Sequence, residues 1–149
     1  MIALFEHETP ATFPADFIPA LLGEIAALLE ALTNTGEEGA IDLRSLPLSE
    51  ADRLKLEDLL GHGEVEARVQ VAGETLVWET AFSGVWWVRH KSAEGKVIAE
   101  QIAITRLPDI LQTPGEDAKA ALPRLQKLAR KTGASTPLTG DSQHREAGS

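Results

Sequence analysis

The segment AFSGVWWVRHK, residues 81–91, places Trp86 and Trp87 side by side and brings Arg89 and His90 close behind them. Within it, GVWWVRH predicts a β-strand. Neighbouring side chains of a strand leave on opposite faces of the sheet. Trp86 and Trp87 are therefore expected on opposite faces, and only one of them can enter a core that lies on one side of the sheet.

Further strands are predicted on both sides of this segment. In EVEARVQV, residues 64–71, Val65, Ala67, Val69 and Val71 alternate with polar residues, which is typical of a half-buried strand. TLVWETAF and VIAEQIAITR predict two more strands, with Ala72-Gly73 and SAEG as turns. Ser83-Gly84 is either a tight turn or a bulge within one long strand. A short strand is also possible at residues 40–43.

Three helices are predicted around these strands. The first, near residues 16–35, has Asp16 as its cap, Pro19 in its first turn, and an apolar stripe of Leu21, Leu22, Ile25, Leu28, Leu29 and Leu32. The second begins after Ser49 and ends at Gly61. The third begins after Pro114, and Pro123 inside it is expected to kink or split it.

Helices that flank a run of antiparallel strands predict an α+β fold. We expect an antiparallel sheet of four or more strands with N-terminal, middle and C-terminal helices packed on it. Residues 1–131 are expected to form one domain. Residues 132–149 lack apolar periodicity and are expected to be a flexible tail.

Composition narrows the function classes. The chain of 149 residues has no cysteine, which excludes disulfides, thiolate metal sites and a cysteine nucleophile. No cofactor is expected. The formal net charge of −9 and the lack of a basic stripe argue against nucleic-acid binding. The sequence shows no run of about 18 apolar residues and no basic region at its start, so we expect no membrane span, no secretory signal and a cytoplasmic location.

Catalytic motifs are weak. The four histidines form no metal-binding spacing, and Glu64 and Glu66 lie on the predicted solvent face of a strand. One alternative remains, a small enzyme of unknown substrate that uses Glu79, Arg89 and His90. Convergence of these three in a deep pocket would favour that alternative, whereas an exposed flat arrangement would favour binding.

The second indole of the pair Trp86 and Trp87 suggests a binding surface. If it is exposed beside Arg89, it forms an apolar and cationic patch of the composition found at protein-binding hot spots. The alternative is that a flanking helix or the C-terminal tail covers the second face of the sheet. Residue patterns alone thus predict an α+β domain that binds another protein.

Three segments, GHGEVEARV, WETAFSGVWWVRH and IAEQIAITRLPDIL, together resemble the conserved domain of the HupH/HyaF family of hydrogenase expression/formation proteins. The resemblance covers roughly residues 41–112, and its specificity comes from the order of the pieces. The matching positions are Gly61, Gly63, Glu64, Glu79, Phe82, Gly84, Val85, Trp86 and Arg89.

The resemblance implies a non-catalytic, cytoplasmic accessory protein for [NiFe] hydrogenase maturation. Its implied partner is an immature hydrogenase subunit, in particular the iron–sulfur small subunit before twin-arginine export, together with a thioredoxin-like accessory protein. A role at the large subunit is the other possibility. Family members often carry a second copy of the domain, so a homodimer is a further expectation. The expected partner-binding residues are Trp86, Trp87, Arg89, Glu79, Phe82 and Gly84, with no catalytic residue and no metal ligand. A protein-binding domain unrelated to hydrogenase remains an alternative.

Overall fold

Five strands form one antiparallel sheet in a computed structural model of the chain. In sequence order they are β1 (Gly39–Asp42), β2 (Glu66–Gln70), β3 (Glu74–Glu79), β4 (Val85–Lys91) and β5 (Val97–Ile104). Their order across the sheet is β1-β5-β4-β3-β2, and every pair is antiparallel. The predicted strand near residues 40–43 is present as the edge strand β1. Ser83 and Gly84 lie in the turn between β3 and β4, so no single long strand contains them.

The helices are α1 (Phe17–Thr35), α2 (Glu50–Leu60) and α3 (Gly115–Lys131), with short 3₁₀ turns at Leu43–Ser45 and Asp109–Leu111. The fold is therefore α+β, as the sequence predicts. The structure describes residues 17–133. Asp16, His7, His144 and most of the expected C-terminal tail lie outside that range. The chain divides into two compact units, Met1–Pro108 and Asp109–Ser149.

Helix α2 begins and ends as its sequence predicts. The Ser49 hydroxyl accepts a 3.0 Å hydrogen bond from the Asp52 amide, and the Asp52 carboxylate accepts a 3.1 Å bond from the Ser49 amide. This reciprocal capping box satisfies donors that the first turn of a helix leaves free. At the other end, Gly61 has a φ of 69°, and its amide bonds to the Glu57 carbonyl.

Helix α1 contributes one side of the hydrophobic core. Its buried residues are Ile18, Leu21, Ile25 and Leu32. Three of these belong to the predicted stripe, and the other three stripe residues, Leu22, Leu28 and Leu29, are partly buried against the core. By length and mean hydropathy this helix also meets the requirements for a membrane span, contrary to the expectation that no segment would. Leu21, Ile25 and Leu32 nevertheless belong to the core cluster that includes residues of the sheet, which is the packing of a core helix.

The core face of the sheet is built from alternate residues of the three central strands. Trp78, Val85, Trp87, Ile102 and Ile104 all lie in the core cluster with the leucines of α1 and α2. The pairing of Trp87 with Trp78 on one side and Ile102 on the other fixes this alignment. A shift by one residue would turn all of these side chains to the other face.

Trp86 lies on the opposite face, as strand alternation requires, yet it is only 4% exposed. Trp87 is fully buried. The expectation that one of the two indoles is exposed is therefore wrong. The physical reason is that this sheet is closed on both faces in its central strands, since Val77 and Ala103 beside Trp86 are buried too. The indole N–H of Trp86 donates a 3.0 Å hydrogen bond to the Thr105 carbonyl, so the one polar group of this buried ring has a hydrogen-bond partner.

Helix α3, in the second unit, continues from Gly115 to Lys131 without a break at Pro123. Of the two predicted effects of Pro123, a kink or a split, the split is therefore excluded. Proline removes one backbone hydrogen bond at an interior position, and the turns on either side keep theirs. Glu116 and Asp117 lie in the first turn and Arg130 and Lys131 in the last, so charge complements the helix dipole at both ends.

Candidate functional site

Arg89 and Trp87 belong to a buried polar cluster beneath helix α2. Glu100, which is 3% exposed, accepts a 2.8 Å hydrogen bond from the Trp87 indole and a 2.7 Å bond from the Arg89 Nε. Arg89 also donates to Glu57 of α2 at 2.9 Å. Its guanidinium lies 5.1 Å from the ring centroid of Trp78, within the range of a cation–π contact.

This cluster stabilises the charged form of the Arg89 side chain. Burial lowers the pKa of Arg89, but the hydrogen bonds and attraction from Glu100 and Glu57 outweigh burial and raise it above its ordinary value. Arginine already titrates well above the pH of any cell. Arg89 is therefore a permanent cation that joins the sheet to α2, and it does not form the expected exposed patch with an indole.

A second group of expected residues lies at the turn between β3 and β4. Thr80 is buried, and its hydroxyl donates to the Val85 carbonyl at 2.9 Å and accepts from the Phe82 amide at 3.1 Å. The Val85 amide in turn bonds to the Phe82 carbonyl at 3.0 Å. These bonds fix the backbone on both sides of Phe82, whose ring is 52% exposed. We call residues 80–84 the Phe82 loop.

A groove of about 460 Å³ lies beside the Phe82 loop. It is lined by Leu29, Leu32 and Thr33 of α1, by Glu79, Ser83 and Gly84, and by Arg106 beyond β5. The groove thus combines two aliphatic side chains with one carboxylate and one guanidinium. Among residues 17–133, Arg106 has no ion-pair partner. This combination can accept an apolar side chain and a charged group next to it.

Gly84 permits the close approach of α1 that forms the groove. Its φ of 95° lies in the left-handed region, and a Cβ there would stand 3.0 Å from the Leu29 Cδ1. The Gly84 amide donates to the Glu79 carboxylate at 3.2 Å, so Glu79 holds the turn as well as lining the groove. Of the two alternatives for Ser83-Gly84, a tight turn or a bulge, the structure has the turn.

The enzyme alternative is not supported by the geometry. Arg89 points to the core face of the sheet, whereas Glu79 and His90 point to the other face. Glu79 pairs with Trp86 and His90 with Thr75, so they are four strand positions, or roughly 13 Å, apart. His90 instead bonds to Thr75. Within residues 17–133, no group of three histidine, aspartate or glutamate side chains could hold a metal ion.

The structure thus divides the expected partner-binding residues into two sets. Glu79, Phe82 and Gly84 meet at one end of the sheet, and Trp86 lies beside Glu79 across the β3–β4 pair. Trp87 and Arg89 lie in the buried cluster. Sequence reasoning missed the other groove residues, Leu29, Leu32 and Arg106, because they come from elements distant in sequence. It also missed Glu100, although Glu100 falls in phase with the core residues Ile102 and Ile104.

Comparison with known proteins gives a consistent result. Residues 18–132 match the family described as HupH hydrogenase expression protein, C-terminal conserved region. The chain is 28% identical to the hydrogenase-1 operon protein HyaF of Escherichia coli (strain K12) over 87% of this chain and 48% of that protein. It is 33% identical to the hydrogenase expression/formation protein HupQ of Azotobacter chroococcum mcd 1 over 74% of this chain and 39% of that protein.

A solved structure supports the fold. The hydrogenase expression protein HupH from Thiobacillus denitrificans ATCC 25259 is 37% identical, with a TM-score of 0.73 over 79% of this chain and 97% of that one. This chain therefore covers nearly all of the solved chain, but a smaller share of the curated relatives. This chain spans about half or less of the length of the curated relatives it matches.

Proposed function

Because the chain belongs to the HupH family of hydrogenase expression proteins through the C-terminal conserved region, we propose that it is a non-catalytic accessory protein of hydrogenase maturation. It binds an immature hydrogenase subunit and holds it until the next step of assembly. Such a role requires a binding surface and no reactive group, which agrees with a cysteine-free chain.

The observation that supports a binding role most strongly is the exposure of Phe82 on a fixed loop. Aromatic side chains dominate the energy of protein interfaces when they enter a partner's pocket from a preorganised position. Thr80 and Val85 supply that preorganisation through the hydrogen bonds around Phe82. The adjacent groove then receives a side chain of the partner in return, with Leu29 and Leu32 on its walls.

The partner that we favour is the iron–sulfur small subunit before its export. The chain carries a net charge of −9, and an acidic protein attracts a partner with a basic segment such as a twin-arginine signal. This choice places the protein in the cytoplasm and leaves room for a thioredoxin-like accessory protein in the same complex. Phe82 supplies the apolar contact, and the acidic surface supplies long-range attraction.

Co-purification tests this role. The tagged full chain is expressed in cells that make an uptake hydrogenase, and the bound proteins are identified by mass spectrometry. We expect the small subunit with its export signal still attached, and we expect its recovery to fall as salt increases. Recovery of the large subunit alone would reject the choice of partner. Recovery of neither subunit would reject the proposed function and favour a protein-binding domain unrelated to hydrogenase.

A further inference from the structure

Strand β2 forms an edge of the sheet, and the outer side of this edge has no backbone partner. Among the described strands, β2 pairs with β3 alone. The Glu79 amide donates to the Val65 carbonyl at 2.9 Å, so by alternation the backbone groups of the odd-numbered residues point to β3. Those of Glu66 and Arg68 therefore point outward, and no residue that the structure describes bonds to them. An open edge of this kind is a template for another strand.

The side chains along this edge are accessible too. Val65 is 44% exposed, the Arg68 side chain is 59% exposed, and Glu66 is also exposed. The strand contains no proline, and its pairing with β3 runs from residue 66 to residue 70 without a bulge, so two common means of blunting an edge are missing. All of these residues lie within the compact unit Met1–Pro108.

We propose that β2 pairs with β2 of a second copy of the chain, antiparallel and centred on Ala67, so that two five-stranded sheets join at their edges. Ala67 then faces Ala67 of the second copy. Glu66 of each copy faces Arg68 of the other, and Val65 of each faces Val69 of the other. Each of these two pairs occurs twice, so the edge is self-complementary, as a two-fold symmetric dimer requires. The outward backbone groups of Glu66 and Arg68 bond directly across the join.

Charge selects this register over its neighbours. A shift by two residues sets Arg68 against Arg68 in one direction and Glu66 against Glu66 in the other, and like charges directly opposite are destabilising. A shift by one residue sets the outward backbone groups against groups that point to β3, and it also mismatches the two faces of the sheets. The centred register instead pairs opposite charges on one face and valines on the other.

This local match favours a second copy over an unrelated extended segment. The net charge of −9 repels another copy at long range. At about 0.15 M salt that repulsion is screened beyond about 8 Å, whereas Glu66 and Arg68 meet at contact distance. About four backbone hydrogen bonds and the paired side chains predict a small interface and a weak dimer, with a dissociation constant of about 10–500 µM. This inference does not depend on the proposed function, because it concerns the purified chain alone.

Sedimentation velocity of the full chain, up to about 500 µM, measures the association. Arg68→Glu and Glu66→Arg each set like charges opposite one another and should weaken the dimer by at least about tenfold. Glu66→Arg makes the net charge less negative, so its weaker dimer cannot come from overall repulsion. Glu74→Gln is the control, because it removes the 2.8 Å ion pair that Arg68 makes within the chain and leaves the edge pairs unchanged. Circular dichroism confirms that the variants stay folded.

An equimolar mixture of the Arg68→Glu and Glu66→Arg chains tests the pairing itself. In a mixed dimer, both pairs across the join again have opposite charges. We therefore expect the mixture to associate about as strongly as the parent chain, although each variant alone does not. A merely structural role of either residue within one chain would give no such recovery.

Disulfide trapping measures the register in this cysteine-free chain. Ala67→Cys alone should crosslink under mild oxidation, because the two Cα atoms at the centre of the join lie about 4.5 Å apart. Val69→Cys alone should not, because its two copies lie four strand positions, or roughly 13 Å, apart. Crosslinking of Val69→Cys but not of Ala67→Cys would overturn the register. A strict monomer, a dimer that Arg68→Glu leaves unchanged, or a mixture that does not recover association would overturn the proposal.

Discussion

The indole N–H of Trp87 donates a 2.8 Å hydrogen bond to the buried carboxylate of Glu100. The same carboxylate accepts from Arg89, so one anion joins an aromatic ring of β4 to a cation of β4. Arg89 then reaches Glu57 of helix α2. Trp87 is thus a buried structural residue. The residues that bind a partner must therefore be other, exposed ones.

Replacement of Trp87 by Ala should destabilise the fold by about 3–5 kcal/mol, because it opens a cavity in the core. It also removes a donor from a buried carboxylate, which adds to the cost. Trp87→Phe fills most of the cavity but still lacks the N–H, so its loss should be smaller. Urea unfolding followed by circular dichroism measures both. Equal stability of Trp87→Ala and the parent chain would contradict the assignment of Trp87 to the core.

Replacement of Glu100 by Gln tests the buried ion pair. The change removes the buried carboxylate that accepts from both Trp87 and Arg89 and leaves Arg89 with Glu57 as its remaining charged partner. We expect a loss of about 2–3 kcal/mol in the free energy of unfolding. The control is Glu74→Gln. Glu74 pairs with Arg68 at 2.8 Å, but that pair is much more exposed, so its loss should be within about 1 kcal/mol. Similar losses in the two variants would show that the Glu100 cluster contributes no more than a surface pair.

Gly84→Ala should destabilise the turn that forms the groove. Gly84 has a φ of 95°, and its Cβ would meet Leu29 at 3.0 Å. Gly95 is the control, because it has a φ of 87° but open space around a Cβ. Both changes carry backbone strain of about 1–2 kcal/mol, and Gly84→Ala should lose about 1 kcal/mol more through the contact with α1. Thermal unfolding of both variants checks the difference.

Much of the fold follows from local patterns. The Ser49 cap, the alternation of Ala67 and Val69, and the turn before Gly95 depend on neighbours in sequence, and each was predictable from them. The placement of Trp86 and Trp87 on opposite faces was equally predictable, because alternation is a property of the strand.

The accessibility of those tryptophans was not predictable in the same way. It depends on what lies over each face of the sheet, and the strand itself carries no such information. Glu100 gave a usable signal, since it falls in phase with Ile102 and Ile104 and pairs with Arg89. A charged residue in register with a core pattern indicates a buried ion pair when a cation stands opposite. The groove gave no such signal, because Leu29 and Arg106 meet only through the tertiary fold.

The affinity of the Phe82→Ala variant for the purified small-subunit precursor tests the central claim most directly. Phe82 is exposed and its loop is held by backbone bonds, so the change should leave the unfolding temperature almost unchanged. Binding should weaken by about 2–4 kcal/mol, or roughly 30- to 1,000-fold in the dissociation constant. Val71→Ala, at an exposed apolar residue outside the groove, is the matched control and should bind as the parent chain does. Equal affinity of Phe82→Ala, Val71→Ala and the parent chain would contradict the account.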